Sequence, residues 1–532
     1  MKFEILSRRL LAGAVMVGLA ASPGLAVAQT TITAVIDGDL RILDPYKGTG
    51  SSAHHAQMIY DTLFSIDADG NVGMQMVGDY SVNDDATEFT FTLREGLAFS
   101  DGSPVTPEDV IASAKRWAAL TGTGMAVPLD PETAFEAIDD RTLKVTLTSS
   151  FPLFTEALGS TFAPLYVMRA SDLEGLTLDQ AVTTSIGSGP FIFSENEWAP
   201  GAETVYLKNE AYVPREEPAS GYAGGHDVLV DRVVWLNVTD KRTALSALET
   251  GEIDLLETVE ATDLLTASAL PNVKVAGSAD RGQTHMIILN HKAPPFDTYE
   301  GRQAMLHLLN PAEILMGAAG SEESFELCRS FYICGSRYAQ DSGVEGLSDT
   351  PDQAKAKELL DAAGYSGEPI AIMMASDRPA YFNGSQVVAY QLGLLDTLNV
   401  DAQTMDWGSL TTRRASMETP ADGGWSIFYT TSSTASTTTP LFHFNGRTSC
   451  DNAWFGWPCD MELEAKRLAW GALPDEAARA ESAQEIQEGW AELLGFIPFG
   501  KVVNKSVYRA DRIEGVLDVP VRTPFWNISV IE

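Results

Sequence analysis

The residues able to do chemistry in this chain are dispersed rather than grouped as a catalytic set. No G-x-S-x-G, H-E-x-x-H, G-x-x-x-x-G-K-[ST] or complete G-x-G-x-x-G string occurs, so the local signatures of acyl transfer, zinc hydrolysis and phosphate cradling are missing. A Ser, His and Asp drawn from distant positions stays open, since triads are recognised by geometry rather than order. His54-His55 is the one local histidine cluster. Neighbours on a helix point about 100° apart, whereas two ligands for one ion favour i and i+4 spacing. No metal site and no cofactor is expected, and the chain is not read as an enzyme. Arg281, Arg378 and Arg414 could each meet a carboxylate through a bidentate fork.

The four cysteines, Cys328, Cys334, Cys450 and Cys459, bear on where the chain works. Its first residues hold Lys2, Arg8 and Arg9, an apolar run from Leu10 to Leu19, and Ala26-Val27-Ala28 in the small-x-small form of a signal-peptidase site. Cleavage after Ala28 is expected, with general and twin-arginine export both open. No cysteine follows that site, so no lipid anchor is expected and the mature protein is placed in the periplasm. In an oxidising compartment an even cysteine count favours disulfides. Sequence nearness pairs Cys328 with Cys334 and Cys450 with Cys459, and neither spacing is that of zinc ligation.

Composition narrows the partners. The formal charge of −37 repels phosphate backbones and anionic lipid surfaces, which excludes nucleic acid as an expected partner. Hydrophobic residues at 45% are ordinary for a globular chain, and past the leader no run is long enough to cross a bilayer. The 532 residues allow two or three domains with a cleft between them.

The elements that must position any site read clearly in places. Thr31 to Ile36, Phe89 to Leu93 and Thr142 to Leu147 alternate like strands, and Met286 to Asn290 reads as a buried one. Asp101-Gly102 marks a tight turn. Thr106-Pro107-Glu108-Asp109 then sets a capping Thr before a helix-compatible Pro and two carboxylates at the positive helix end. Thr239 to Thr250 reads as a helix closed by Gly251, which suits a left-handed cap. Gly423 to Thr439 is rich in Ser and Thr, but Trp425, Ile427, Phe428 and Tyr429 open it, so a strand entering a loop is expected there rather than a linker.

Taken together, Leu93 to Val110 resembles the signature region of the extracellular solute-binding proteins of family 5, the dipeptide, oligopeptide and nickel-binding type that feed ABC importers. The likeness extends through Leu43-Asp44-Pro45, Tyr60-Asp61-Thr62-Leu63, Gly187 to Phe191, Leu207 to Tyr212, Gly251 to Asp254, Pro294 to Asp297, Arg302-Gln303-Ala304, Val400 to Trp407 and Ile497 to Gly500. It covers nearly the whole mature chain.

The resemblance implies an α/β, two-lobed periplasmic-binding-protein fold of class II, in its large family-5 form. An extra small subdomain at about 70–185 lies beside lobe I, and two hinge crossings join the lobes. Lobe I is expected over 29–283 plus 503–532, and lobe II over 284–502, with the crossings near Arg281 to Thr284 and Gly500 to Val503. The implied function is the periplasmic substrate-binding component of an ABC importer. It would capture a small organic solute, peptide-type or opine-like, between the lobes and deliver it to an inner-membrane permease, acting as a monomer. An exported hydrolase, or a chaperone or sensor on the same fold, is the alternative.

In such a cleft, aromatic walls desolvate the ligand and a few polar groups orient it. The family's ligand-lining strand and loop fall at Trp425 to Thr431, so Trp425, Phe428, Tyr429, Thr430 and Thr431 are expected to line the solute. Trp407 stands at the family's strand end, Tyr46 and His54 follow the Leu43-Asp44-Pro45 bend, Arg281 lies near the hinge, and Tyr338 is a further wall. Peptide-binding members keep an Asp in the lining region, whereas this chain reads Trp425-Ser426-Ile427-Phe428-Tyr429-Thr430-Thr431-Ser432-Ser433-Thr434. A buried ammonium without a carboxylate is costly, which puts the usual dipeptide pose in doubt.

Overall fold

The computed structural model describes residues 29–259, 263–277, 282–433 and 436–531. The leader with its expected cleavage site, and Arg281, lie outside the described residues.

Two large sheets organise the chain. The first has seven strands in the order Val273–Ala276, Lys505–Arg509, Leu255–Val259, Thr31–Val35, Arg232–Leu236, Glu203–Lys208 and Phe191–Phe193. Thr31–Val35 runs parallel to both of its neighbours. The second has six strands, Phe325–Leu327, Phe496–Val503, Gly282–Leu289, Ile427–Ser433, Ile370–Ala375 and Val400–Met405. There Ile370–Ala375 lies parallel to both neighbours and is buried along its whole length. That is why its sequence, Ile-Ala-Ile-Met-Met-Ala, is apolar without alternation: helices or strands cover both of its faces.

The chain passes between the sheets twice. It leaves the first after Ala276 and enters the second at Gly282; it returns with Asn504 alone between Val503 and Lys505. The two passages run side by side, since Gly282 is paired with Val503 and Ala276 with Ser506. Two adjacent crossings of this kind are the arrangement of a hinge between two halves.

A four-stranded sheet, Val77–Val82, Glu88–Leu93, Thr142–Thr146 and Phe135–Ala137, carries the helix Pro107–Leu120. The cap expected from sequence is present: Thr106 N–H and Oγ1 both donate to Asp109 Oδ2 at 2.8 Å. The turn before it has Gly102 at φ +84°, and Gly251 closes the helix Lys241–Thr250 at φ +83°. Both are left-handed positions that suit glycine.

The apolar core of this small sheet is continuous with that of the six-stranded sheet, while the seven-stranded sheet has cores of its own. The bridge runs through Phe151, whose ring lies so close to Gly471 that a Cβ there would fall 2.3 Å from it. Among the described residues no helix is long and apolar enough to cross a membrane.

Cys450 and Cys459 are disulfide-bonded. Cys328 and Cys334, expected to pair likewise, are thiols in this structure. They are hydrogen-bonded to each other, and that bond holds Cys328 below the usual thiol range.

Candidate functional site

In an open sheet with parallel strands, the ligand crevice lies beyond the carboxyl ends of those strands. In the six-stranded sheet these ends are Ala375, Met405 and Ser433, and Ser433 stands opposite Gln283, next to the first crossing. The strand ends therefore open toward the hinge.

The side chains at this edge are connected. Thr431 Oγ1 donates to Gln283 Oε1 at 2.7 Å, so the 2.6 Å contact with Tyr381 is one in which the phenol donates. Burial pushes the Tyr381 phenol up, which keeps it a donor. Tyr381 meets Trp407 edge-on, with centroids 5.2 Å apart. Arg378, exposed at the start of the helix Pro379–Gly393, lies 5.9 Å over the Trp407 ring. Arg414 lies 5.6 Å over the same ring and also over Trp454 and Phe455, at 5.4 and 4.5 Å. Burial lowers the Arg414 pKa, and its Nε has no hydrogen-bond partner.

Among the described residues neither Arg378 nor Arg414 forms an ion pair, although acidic residues outnumber basic ones by 73 to 36. In so anionic a chain, a guanidinium left exposed beside a flat aromatic ring offers a ready place for an anionic group. Arg414, sandwiched by three rings, instead fixes the Trp407 wall.

Most of the walls expected from sequence are placed elsewhere, and these expectations need correction. Trp425 and Phe428 are fully buried against each other, with centroids 4.9 Å apart, and against Trp457 and Trp454; Trp425 Nε1 donates to the Arg414 carbonyl. Tyr429 is buried over Gly384 and bonds His285 Nδ1 at 2.7 Å, and Thr430 is buried on the face of Phe428. The reason is that Ile427–Ser433 is an interior strand, paired on both edges and covered on both faces. Only its last residues, from Thr431 onward, reach the crevice edge. Tyr338 packs on Tyr332 and Trp470 in the core, its hydroxyl donating to Glu476.

Residues after the Asp44-Pro45 bend are also engaged internally. Tyr46 OH donates to the Pro164 carbonyl at 2.9 Å and accepts from Tyr166 N–H at 3.0 Å, tying the small subdomain to the first sheet. His54 is buried between Trp235 and Phe525, with Nε2 2.9 Å from the Thr523 carbonyl and Nδ1 3.5 Å from Glu257. His55 meets Tyr206 OH, and burial lowers its pKa to about 3. Among the described residues no group of His, Cys, Asp and Glu could hold a metal ion.

Sequence reasoning missed a second concavity, with about 40 Å³ of free space, between the helix Gly50–Ile59, the base of the small subdomain and the C-terminal return. Asp61, Gln57, His226, Trp526 and Arg522 line it. Tyr60-Asp61 and the Leu207 to Tyr212 segment carried the family likeness, and their meeting here was the available signal.

Comparison with known proteins gives the family. The profile described as bacterial extracellular solute-binding proteins, family 5 Middle, matches residues 71–453. A Sinorhizobium fredii protein named as a probable peptide ABC transporter periplasmic-binding protein, y4tO, is 36% identical over 526 residues, covering 96% of this chain and 98% of the relative. The Escherichia coli K12 glutathione-binding protein GsiB is 24% identical over 430 residues, 79% of this chain and 78% of the relative. Among solved structures, the binding protein AgaA from A. tumefaciens, in complex with agropinic acid, has a TM-score of 0.75 at 21% identity, over 94% of this chain and 99% of that one. A Pseudoalteromonas dipeptide-binding protein in complex with Met-Leu gives 0.75 at 18%, over 94% and 100%.

Proposed function

This chain belongs to the bacterial extracellular solute-binding proteins of family 5, and from that premise we propose that it is the periplasmic receptor of an ABC importer that closes on a small peptide-type or opine-like solute. The observation that carries the reading is the pair of adjacent crossings, Gly282 beside Val503, with the carboxyl ends of the second sheet's parallel strands opening toward them. Lobe I comprises 29–283 and 503–532, and lobe II 284–502. A solute touching both stabilises the closed arrangement by its differential affinity for it.

Along the six-stranded sheet's edge of the cleft, Arg378 takes an anionic group of the solute, Trp407 and Tyr381 wall it, and Thr431, with Gln283 at the crossing, supplies hydrogen bonds. The names of relatives, a peptide-transporter component, a glutathione-binding protein and an agropinic acid complex, support an organic acid with amide or amino groups. Export with cleavage after Ala28 and hand-over by a monomer to an inner-membrane permease complete the proposal.

Solution scattering with and without the solute that copurifies tests it. A decrease in radius of gyration together with a raised Tm supports the receptor. Chemical conversion of the solute by the purified protein would replace this reading with a catalytic one.

A further inference from the structure

The pocket beside Asp61 is built with opposite charges and unmatched polar atoms, and nothing in the lobe II site uses it. The Asp61 carboxylate, 2% exposed in residue terms, belongs to its lining. Tyr212 OH donates to its Oδ2 at 2.8 Å and Thr62 N–H to its Oδ1 at 2.8 Å. The one cationisable neighbour within 4 Å among the described residues is His226, with Nδ1 3.9 Å from Oδ1. That ring is stacked on Trp526 with centroids 4.0 Å apart, and burial keeps its pKa below the usual histidine value. Asp61 is therefore a buried carboxylate without a standing counter-cation, and each carboxylate oxygen has room for a further donor.

Arg522, half-buried, lines the same pocket, and among the described residues its guanidinium forms no ion pair. The backbone around it is held firmly: Val521 and Arg522 N–H both donate to Tyr222 OH, and Tyr222 OH donates to the Arg522 carbonyl. Three further lining residues, each more than nine-tenths buried, end in atoms with no partner: Gln57 Oε1, an acceptor, Trp526 Nε1–H, a donor, and Tyr60 OH, which can act as either. An unmatched buried polar atom costs about 1–3 kcal/mol, a cost that a guest of matching polarity would relieve at these atoms. The lining thus brings together two acceptors, Asp61 and Gln57, two donors, Arg522 and Trp526, and the Tyr60 hydroxyl, which can be either. Its free space of about 40 Å³ makes it a small pocket, one for a head group rather than for a whole solute.

We propose that this pocket receives the zwitterionic head of an α-amino acid moiety, its ammonium at Asp61 and Gln57 and its carboxylate at Arg522 and Trp526 Nε1. The inference rests on the receptor reading and sharpens it: the solute carries a free amino-acid head rather than a free ammonium and carboxylate at opposite ends. It also gives the ammonium a carboxylate in lobe I, where the lining segment of lobe II offers none between Trp425 and Ser433.

The test is a calorimetric and thermal-shift comparison of γ-L-glutamylglycine with its N-acetyl and α-carboxamide counterparts, on the full mature chain and on Arg522→Gln and Gln57→Leu. Asp61 is left intact because it also holds Tyr212. The parent compound is expected to bind at least tenfold more tightly than either blocked form. Arg522→Gln is expected to abolish the discrimination against the α-amide while keeping that against the N-acetyl form, and Gln57→Leu to weaken the latter. Equal binding of the three compounds, or discrimination untouched by both variants, overturns the pocket assignment. Mass spectrometry of the copurified solute separates the two levels: a bound solute that closes the protein but lacks an amino-acid head sinks this inference and leaves the receptor standing. No closure with any solute sinks the receptor reading itself.

Discussion

Gly282 and Val503 face each other in the antiparallel ladder at the point where both chain passages leave the second sheet, and a Cβ on Gly282 would fall 2.3 Å from the Val502 carbonyl oxygen. The two passages approach this closely only because residue 282 has no side chain. Gly282→Ala is expected to push them apart, lowering stability by about 1–3 kcal/mol as an overpacking change does and broadening the range of lobe angles. Urea denaturation reads the first effect, and scattering of the solute-bound protein reads the second. An unchanged midpoint and an unchanged bound-state profile would show that the hinge tolerates the side chain.

Arg378 is exposed and, among the described residues, holds no ion pair, so its removal separates binding from folding. Arg378→Gln should leave Tm of the free protein within about 1 °C, because surface changes of this kind are nearly neutral. Affinity should fall by about ten- to a hundredfold, the worth of a hydrogen bond to a charged group. Calorimetry with the copurified solute decides; equal affinity for both proteins removes Arg378 from the site.

The cysteines make a prediction about compartment. Cys450 and Cys459 close a loop with a sequence separation of 9, so replacing both with Ser is expected to cost about 2–3 kcal/mol on the chain-entropy model. Cys328, held below the usual thiol range by the Cys334 hydrogen bond, is expected to be the first thiol oxidised, giving a second disulfide with Cys334 in exported protein. Alkylation and intact-mass measurement should find no free thiols in periplasmic material and four in protein made in a reducing cytosol. Two free thiols in exported protein would show that the pair stays reduced.

Four histidines set an acid limit. Burial lowers His55, His285 and His291 from 6.5 to about 3 and His443 to about 4. Above pH 6.5 each ring is neutral in both folded and unfolded chains, so its contribution is fully present there. As pH falls below 6.5 the unfolded chain takes up protons that the native one refuses, and stability is lost at up to about 1.4 kcal/mol per pH unit for each histidine. The loss continues down to about pH 3–4, where the native rings also protonate. Tm should therefore decline steeply from pH 6.5 to 4, and His285→Gln should flatten the slope. A slope identical in that variant would remove His285 from the explanation.

The sequence alone determined what is local. Thr106 and Asp109 cap a helix whatever surrounds them, Gly102 and Gly251 stand where the backbone needs positive φ, and ordered motifs from Leu43 to Gly500 carried the family and with it the two-lobed fold. Which aromatic residues face a solute was not legible in that way. Trp425, Phe428 and Tyr429 have the composition of a binding wall, but Ile427–Ser433 is hydrogen-bonded on both edges and covered on both faces, and burial of a strand depends on neighbours hundreds of residues away. The same distance hid the pocket that brings Asp61 together with Arg522. A side chain's type is fixed by the sequence, but whether it meets solvent, core or ligand is decided by the packing of segments that only the closed tertiary structure makes adjacent.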